Sequence, residues 1–303
     1  MIFKIEDILI RAKMMPERRM VLVNGVDLHS LEAARQASAM KLVKVVITGS
    51  VKAIKSVCGE NGIDDSCFEI IPAEDEEQAA QEAARLAGRG EADLLMKGLI
   101  SSDKYMRVLL NKEYGLLSPG SVLSHVAVIE NENYHKLLIA SDVAVIPYPD
   151  LSQKAAMIKS LIRTGRALGI EIPKIALIAP SEQVLPVLPA TTDAALLVKM
   201  ARNGQFPGGI IDGPMALDVA VDKESAMIKN IRSPVAGDAD CLLFPNIDAG
   251  NVFYKMNTKL CNSRQAAIVA GARVPVVLSS RGDSTETKLN SIALASLLSY
   301  QSQ

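Results

Sequence analysis

Hydrophobic and polar positions along this chain switch repeatedly between two periods. Arg19-Met-Val-Leu-Val-Asn24 is a continuous apolar run closed by Asn24-Gly25, and apolar positions from Leu31 to Met40 then recur at helical spacing. Leu42 to Ile47, Phe68 to Ile71 and Ala92 to Met96 repeat the short run, with an acidic-started helix over Asp75 to Leu86 between the last two. Unbroken β-α-β-α alternation with continuously apolar strands predicts a parallel sheet with helices on both faces. Ligands of such sheets bind beyond the carboxyl ends of the strands. Three polar clusters fall at such ends: Asn24-Gly25, Thr48-Gly49-Ser50 and Lys97-Gly98. Thr48-Gly49-Ser50 matches no nucleotide-binding glycine pattern and reads as a tight turn. Lys97, followed by Ser101-Ser102-Asp103 at a helix start, is a point charge available to an anion, or else a solvated lysine.

The pattern changes in the middle. Ser121 to Ile129 is a long strand containing Ser124-His125. Leu137 to Ala140 and Val143 to Ile146 flank Ser141-Asp142, which predicts antiparallel pairing about a tight turn. Helices over Gln153 to Ala167 and Thr192 to Asn203, with strands at Ile175 to Ala179, Ile210 to Asp212 and Leu242 to Phe244, then predict a second α/β unit. Two of its loops are unusually polar. Ile211-Asp-Gly-Pro-Met-Ala-Leu-Asp218 sets two carboxylates around a Gly-Pro turn, and Phe244 to Lys255 carries Asp248, Asn251 and Lys255 into a helix. Each aspartate could cap a turn, or several could offer oxygens to a metal.

The last strand, Val276 to Leu278, runs into Ser279-Ser280-Arg281-Gly282-Asp283 and then into a helix marked by Leu289, Ile292, Leu294, Leu297 and Leu298. Asp283 with Glu286 has capping-box spacing, so the helix is expected to begin there. A helix N-terminus favours phosphate or a developing oxyanion. Arg281 adds a planar fork matched to phosphate oxygens, and Ser279 and Ser280 add hydroxyls. The alternative is an ordinary cap whose arginine pairs with a surface carboxylate.

Composition narrows the classes. The chain has 303 residues, 49% hydrophobic and 22% charged, with net charge −1. Length allows two domains or one large one, and the charge balance points to neither nucleic acid nor an anionic membrane. Cys58, Cys67, Cys241 and Cys261 lack metal-type spacing, His29, His125 and His135 complete no ligand set, and no metal site is expected. These thiols suit a reducing cytoplasm. The charged N-terminus is unlike a signal peptide, and no apolar run reaches membrane-spanning length.

Taken together, these stretches resemble the phosphate acetyl/butyryl transferase family, its butyryl branch most closely. The likeness rests on Lys97-Gly98, Ser124-His-Val126, Asp212 to Asp218, and Ser233-Pro-Val-Ala-Gly237 with Asp240. It continues through Asp248-Ala-Gly-Asn-Val-Phe-Tyr-Lys255 and Pro275 to Ser284, covering about residues 90 to 300. Six motifs in order are specific where each alone is not. The resemblance implies a Rossmann-like, three-layer, two-domain α/β fold of the isocitrate/isopropylmalate dehydrogenase-like superfamily, with the active site in the interdomain cleft. Domain bounds are expected at 1–128 plus 267–303 for a discontinuous first domain and 129–266 for an inserted second.

The implied reaction is reversible transfer of a short-chain acyl group between coenzyme A (CoA) and inorganic phosphate through a ternary complex. CoA is then a substrate, acyl phosphate the other product, and no cofactor is permanently bound. A homodimer or larger homo-oligomer is a family expectation. The chemistry needs a grip on phosphate, an oxyanion donor and a base for the CoA thiol. Arg281 suits the first and Ser280 the second. Acetyl-directed members place an aspartate six residues beyond the arginine, where this chain has Thr287, so Asp283 or Glu286 is left for the third. Lys97, Ser124, His125, Asp212, Asn251, Lys255 and Ser279 are the expected substrate-binding residues. Three alternatives stand beside this reading. One is the acetyl-specific enzyme, another a regulatory domain that binds CoA or phosphate. The third is a metal- and NAD-dependent decarboxylating dehydrogenase using Asp212, Asp218, Asp240 and Asp248.

Overall fold

The computed structural model describes residues 2–278, 280 and 282–300. The chain forms two compact units, one of residues 6–121 and 266–303, the other of residues 1–5 and 122–265. The first unit opens with α1 (Ile5–Lys13), β1 (Arg18–Val23), α2 (Leu28–Ala39), β2 (Val43–Gly49) and α3 (Val51–Glu60). It continues with β3 (Glu69–Pro72), α4 (Glu76–Gly88), β4 (Leu94–Lys97) and α5 (Ser102–Leu110). The second unit holds β5 (Ser124–Glu130), β6 (Leu138–Ser141), α6 (Leu151–Ala167), β7 (Lys174–Ile178) and α7 (Pro189–Arg202). After these come β8 (Ile210–Met215), α8 (Leu217–Val221), α9 (Lys223–Ile228), β9 (Cys241–Leu243) and α10 (Ile247–Lys259). The chain returns through β10 (Arg264–Ala270), β11 (Val276–Val277) and α11 (Thr285–Ser299).

In the first unit the strand order is β3-β2-β1-β4-β11-β10. Every pair from β3 to β11 is parallel, and β10 meets β11 antiparallel. The strands are apolar along their length because both faces are covered. Met20 to Val23 and Leu94 to Met96 are fully buried. The helices fit by shape as much as by hydrophobicity. α4 turns Ala79, Ala80, Ala83, Ala84 and Ala87 inward, a small-residue face that lets its backbone approach β1 and β2 closely. The parallel registers Val23↔Lys97 and Val277↔Met96 put the carboxyl ends of β1, β4 and β11 side by side. At that edge Gly98 is tightly held, since a Cβ there would lie 2.5 Å from the carbonyl oxygens of both Val23 and Asn24.

In the second unit the order is β5-β6-β9-β7-β8, antiparallel at β5–β6 and parallel elsewhere. The expected antiparallel pairing is present with a different partner. β6 pairs with β5 across residues 131–137, and Val143 to Ile146 is not a strand. Asp142 causes this, because its Oδ1 accepts the amides of Ala144 (2.7 Å) and Val145 (2.8 Å) and curls the chain away. β10 was not foreseen, as an antiparallel return leaves no period-2 signature when both faces are buried.

Candidate functional site

In the first unit the site is a turn between β11 and α11. The helix begins at Thr285 rather than Asp283, and its cap is Ser284, whose Oγ accepts the Thr287 amide at 3.2 Å. The expected capping box of Asp283 and Glu286 is therefore not formed. Asp283 is used one step earlier: its Oδ2 accepts the Ser280 amide at 2.7 Å, while its own amide donates to the Ser280 carbonyl at 3.1 Å. This two-way clasp leaves Ser280 exposed on a closed turn. The Thr287 hydroxyl lies 3.1 Å from Ser284 Oγ. Ser279 and Arg281 lie outside the described residues.

Lys97 ends β4, one residue beyond the Met96 that is level with Val277. The structure thus brings Lys97 and the Ser280 turn to one edge of the first unit's sheet. Lys97 is only 4% exposed, with Nζ 3.4 Å from the Gly98 carbonyl. Its surroundings explain why this lysine is not a solvated one. The same edge holds three side chains that sequence reasoning missed. Asp27 caps α2 through the Ser30 amide (2.9 Å), His29 Nδ1 lies 3.3 Å from Thr285 Oγ1, and Lys288 is buried with Nζ 3.5 Å from the Ser280 carbonyl. Burial pushes the Lys288 pKa below its ordinary value, against the opposing pull of the Asp27 and Asp283 carboxylates. A lysine in a helix normally reads as a solvated residue, so nothing in its spacing flagged it.

In the second unit Ser124 and His125 begin β5, both buried. The His125 amide donates to Asp142 Oδ2 at 2.8 Å, and its ring meets Tyr254 edge-on at 5.9 Å. The Ser124 hydroxyl is buried with no hydrogen-bond partner among the described residues, an arrangement that costs free energy unless something else supplies a partner. α10 is seated against the same segment. Asn251 Nδ2 donates to the Val143 carbonyl at 2.9 Å, and a Cβ on Gly250 would lie 2.1 Å from the Asp142 carbonyl oxygen. Lys255 places Nζ 5.4 Å from the centre of the Tyr254 ring. His125 and Asn251 therefore both reach the Asp142–Val143 segment, with Tyr254 against the His125 ring.

Asp212 does not join them. It sits on β8, at the opposite end of this unit's sheet from β5, four strand spacings or about 19 Å away. Its Oδ1 accepts the adjacent Gly213 amide at 2.9 Å. The other carboxylates weighed for a metal are likewise committed separately. Asp218 pairs with Lys229 (3.0 Å), Asp240 with Lys136 (2.6 Å), and Asp248 accepts from the Tyr148 hydroxyl (3.1 Å). Among the described residues no cluster of three or more such ligands converges.

A model of the phosphate acetyl/butaryl transferase family matches residues 77–296. The chain belongs to this family. The match spans Lys97, the Ser124-His125 pair, the α10 motif and the Ser280 turn. Relatives agree over nearly the whole length. The phosphate butyryltransferase of Clostridium acetobutylicum is 40% identical over 298 residues, 98% of this chain and 99% of that protein. The phosphate acetyltransferase of Thermotoga maritima is 38% identical over 280 residues, 92% of this chain and 95% of that one. Among solved structures, a branched-chain phosphotransacylase from Enterococcus faecalis matches with TM-score 0.82 at 28% identity, covering 93% of this chain and 99% of that one.

Family membership makes the protein an acyltransferase. It also corrects the fold expectation. The α/β class stands, but placement in the isocitrate/isopropylmalate dehydrogenase-like superfamily is overturned. The Enterococcus faecalis structure that matches over nearly the whole chain is a phosphotransacylase. The carboxylates weighed for a metal, Asp212, Asp218, Asp240 and Asp248, each bond within their own turn or to a nearby side chain and form no ligand cluster among the described residues. The dehydrogenase alternative goes with them.

Proposed function

We propose that this acyltransferase moves a short-chain acyl group reversibly between CoA and phosphate, taking four-carbon or branched chains in preference to acetyl. The observation that carries the reading is the clasped Ser280–Asp283 turn at the start of a 15-residue helix, within a family whose chemistry requires an oxyanion partner there. In the acyl-phosphate direction the CoA thiol loses a proton and its sulfur attacks the carbonyl. A C–S bond forms, the carbonyl–phosphate C–O bond breaks, and phosphate leaves. Arg281 grips the phosphate oxygens in pairs, and Lys97 supplies further positive charge at the same sheet edge. The Ser280 hydroxyl, with the helix start behind it, faces the developing oxyanion. Asp283 has one oxygen committed to the Ser280 amide, and we assign its other oxygen to the thiol proton. Ser124, His125, Asn251 and Lys255 are assigned to substrate binding, the unpartnered Ser124 hydroxyl being the strongest support among them. Asp212 keeps a binding assignment only on the motif, without geometric support.

CoA is a substrate in this scheme rather than a resident cofactor, and direct attack in a ternary complex needs no acyl-enzyme. We place the enzyme in the cytoplasm as a homodimer or larger assembly. Val252 and Met256 on α10 with Leu260 at its C-cap, an exposed apolar row at four-residue spacing, support self-association.

The test is an acyl-phosphate chain-length series followed by thiol release. Each buried methylene contributes about 0.8 kcal/mol, so two give roughly a tenfold preference for butyryl over acetyl phosphate. A higher kcat/KM for acetyl phosphate would reverse the assignment. Arg281→Lys in the same assay should lose about 2–4 kcal/mol of transition-state stabilisation, because an ammonium cannot replace the fork. A surface ion-pair partner would lose about 0–1 kcal/mol instead.

A further inference from the structure

α11 is buried from Lys288 to Ser299, and Lys288 is the one charged side chain in that run. Lysine is almost never fully buried without compensation, and an uncompensated ammonium in an apolar setting is costly. A methionine has comparable length and would pack into an apolar helix face without that cost. Lys288 is nevertheless 4% exposed.

Part of its compensation comes from the site. Nζ lies 3.5 Å from the Ser280 carbonyl oxygen, which already accepts the Asp283 amide at 3.1 Å. The carboxylates that act on the ammonium are those of Asp283, on the same turn, and Asp27, at the cap of α2. Both are themselves fixed, Asp283 by the Ser280 amide (2.7 Å) and Asp27 by the Ser30 amide (2.9 Å). α2 and α11 pack together, so this charge ties the turn to the body of the first unit. An ammonium 3.5 Å from the Ser280 carbonyl restrains the backbone of the residue that carries the Ser280 hydroxyl. It also restrains Asp283, which is clasped to that residue from both sides.

We propose that Lys288 is a positioning residue for acyl transfer, holding Ser280 and Asp283 in the geometry the reaction needs without touching the reacting atoms. This rests on the acyl-transfer role proposed for the Ser280 turn. Displacements of this kind weaken the chemical step more than binding, because a donor slightly out of line is lost mainly in the transition state.

The test compares wild type, K288M and K288R for thiol release from butyryl phosphate and CoA, beside melting curves. K288M is expected to unfold cooperatively, with kcat reduced roughly tenfold to a hundredfold and KM for CoA within about twofold of wild type. K288R, which restores a buried donor, should recover part of the lost kcat. The proposal is overturned if K288M keeps kcat within about twofold of wild type. It is also overturned if K288M loses its cooperative transition, since the ammonium is then a folding element. A folded K288R no better than folded K288M overturns it as well. A wild-type enzyme that turns over no acyl phosphate would instead sink the acyl-transfer role of the turn itself, so the two failures are distinguishable.

Discussion

Ser280 and Asp283 hold each other through backbone amides, so their side chains can be altered with different consequences. Ser280→Ala removes the hydroxyl but leaves both clasping bonds. It should melt like wild type and lose about 10²–10³ in kcat, the scale of removing one oxyanion donor. Unchanged turnover in that variant would return Ser280 to the role of a spacer. Asp283→Asn keeps an oxygen for the Ser280 amide but cannot take a proton, so it should preserve Tm while lowering kcat by at least about tenfold. If activity survives in Asp283→Asn, the base lies elsewhere and Glu286 is the next variant to make. The turn that carries Ser280 and Asp283 was legible in the sequence as a polar break between an apolar strand and a helix, because the run from Pro275 to Ser284 is contiguous. The function of Lys288 was not, because it depends on α2 and α11 meeting across about 260 residues of chain, a fact no local spacing encodes. Asn251 shows the reverse case. Its motif marked it as a substrate-binding residue, yet its side-chain amide is spent on the Val143 carbonyl, a bond that fixes the start of α10 on the Asp142 segment.

Elements meet in this fold at a few positions without room for side chains, and these should be its most sensitive points. Gly250 seats α10 on the Asp142 segment, where an added Cβ would fall 2.1 Å from a carbonyl oxygen. Gly250→Ala should cost about 2 kcal/mol or more, read as a drop in Tm, because backbone cannot move aside as a side-chain end can. A Tm within about 2 °C of wild type would mean that α10 slides freely. At another junction Asp238 joins the starts of β6 and β7 through Lys136 (2.9 Å) and Lys174 (2.5 Å). Burial raises its pKa, but hydrogen bonds from Lys174 and Lys136 outweigh that and leave it below the ordinary 3.8. A depressed carboxylate stabilises the fold above its unfolded pKa and loses that contribution as pH falls through the folded value. Asp238→Asn should therefore melt below wild type at pH 7, with the gap closing as pH is lowered below about 4. A gap of constant size would assign the loss to packing. The alternation of strands and helices in the first half was readable because parallel strands buried on both faces leave continuous apolar runs. The segment after Ser141 misled because a single carboxylate, Asp142, gathers three backbone amides and overrides strand propensity.

Across the whole molecule the four cysteines are free thiols with no shared arrangement. Burial raises the pKa of Cys58 and Cys241, which keeps them protonated and poor nucleophiles. A variant with Cys58→Ala, Cys67→Ser, Cys241→Ala and Cys261→Ser should retain kcat provided it folds. Its inactivation in a folded state, with an acyl-thioester trapped on the wild type, would replace direct transfer by a covalent route. The discontinuity of the first unit also has a consequence in time. β11 and α11 complete a sheet whose other parallel strands lie before residue 122. On a ribosome adding about 5–20 residues per second, the intervening 122–265 segment takes roughly 7–30 s to emerge. For that interval β4, with Leu94, Leu95 and Met96 side by side, is an unpaired apolar edge waiting for Val276 and Val277. The second unit, uninterrupted apart from its first few residues, can close in the meantime. A released chain ending at residue 265 should therefore carry a protease-resistant later half and an earlier half that recruits holdase chaperones. Synthesis of this protein thus exposes, on every chain, the strand edge that ends in Lys97.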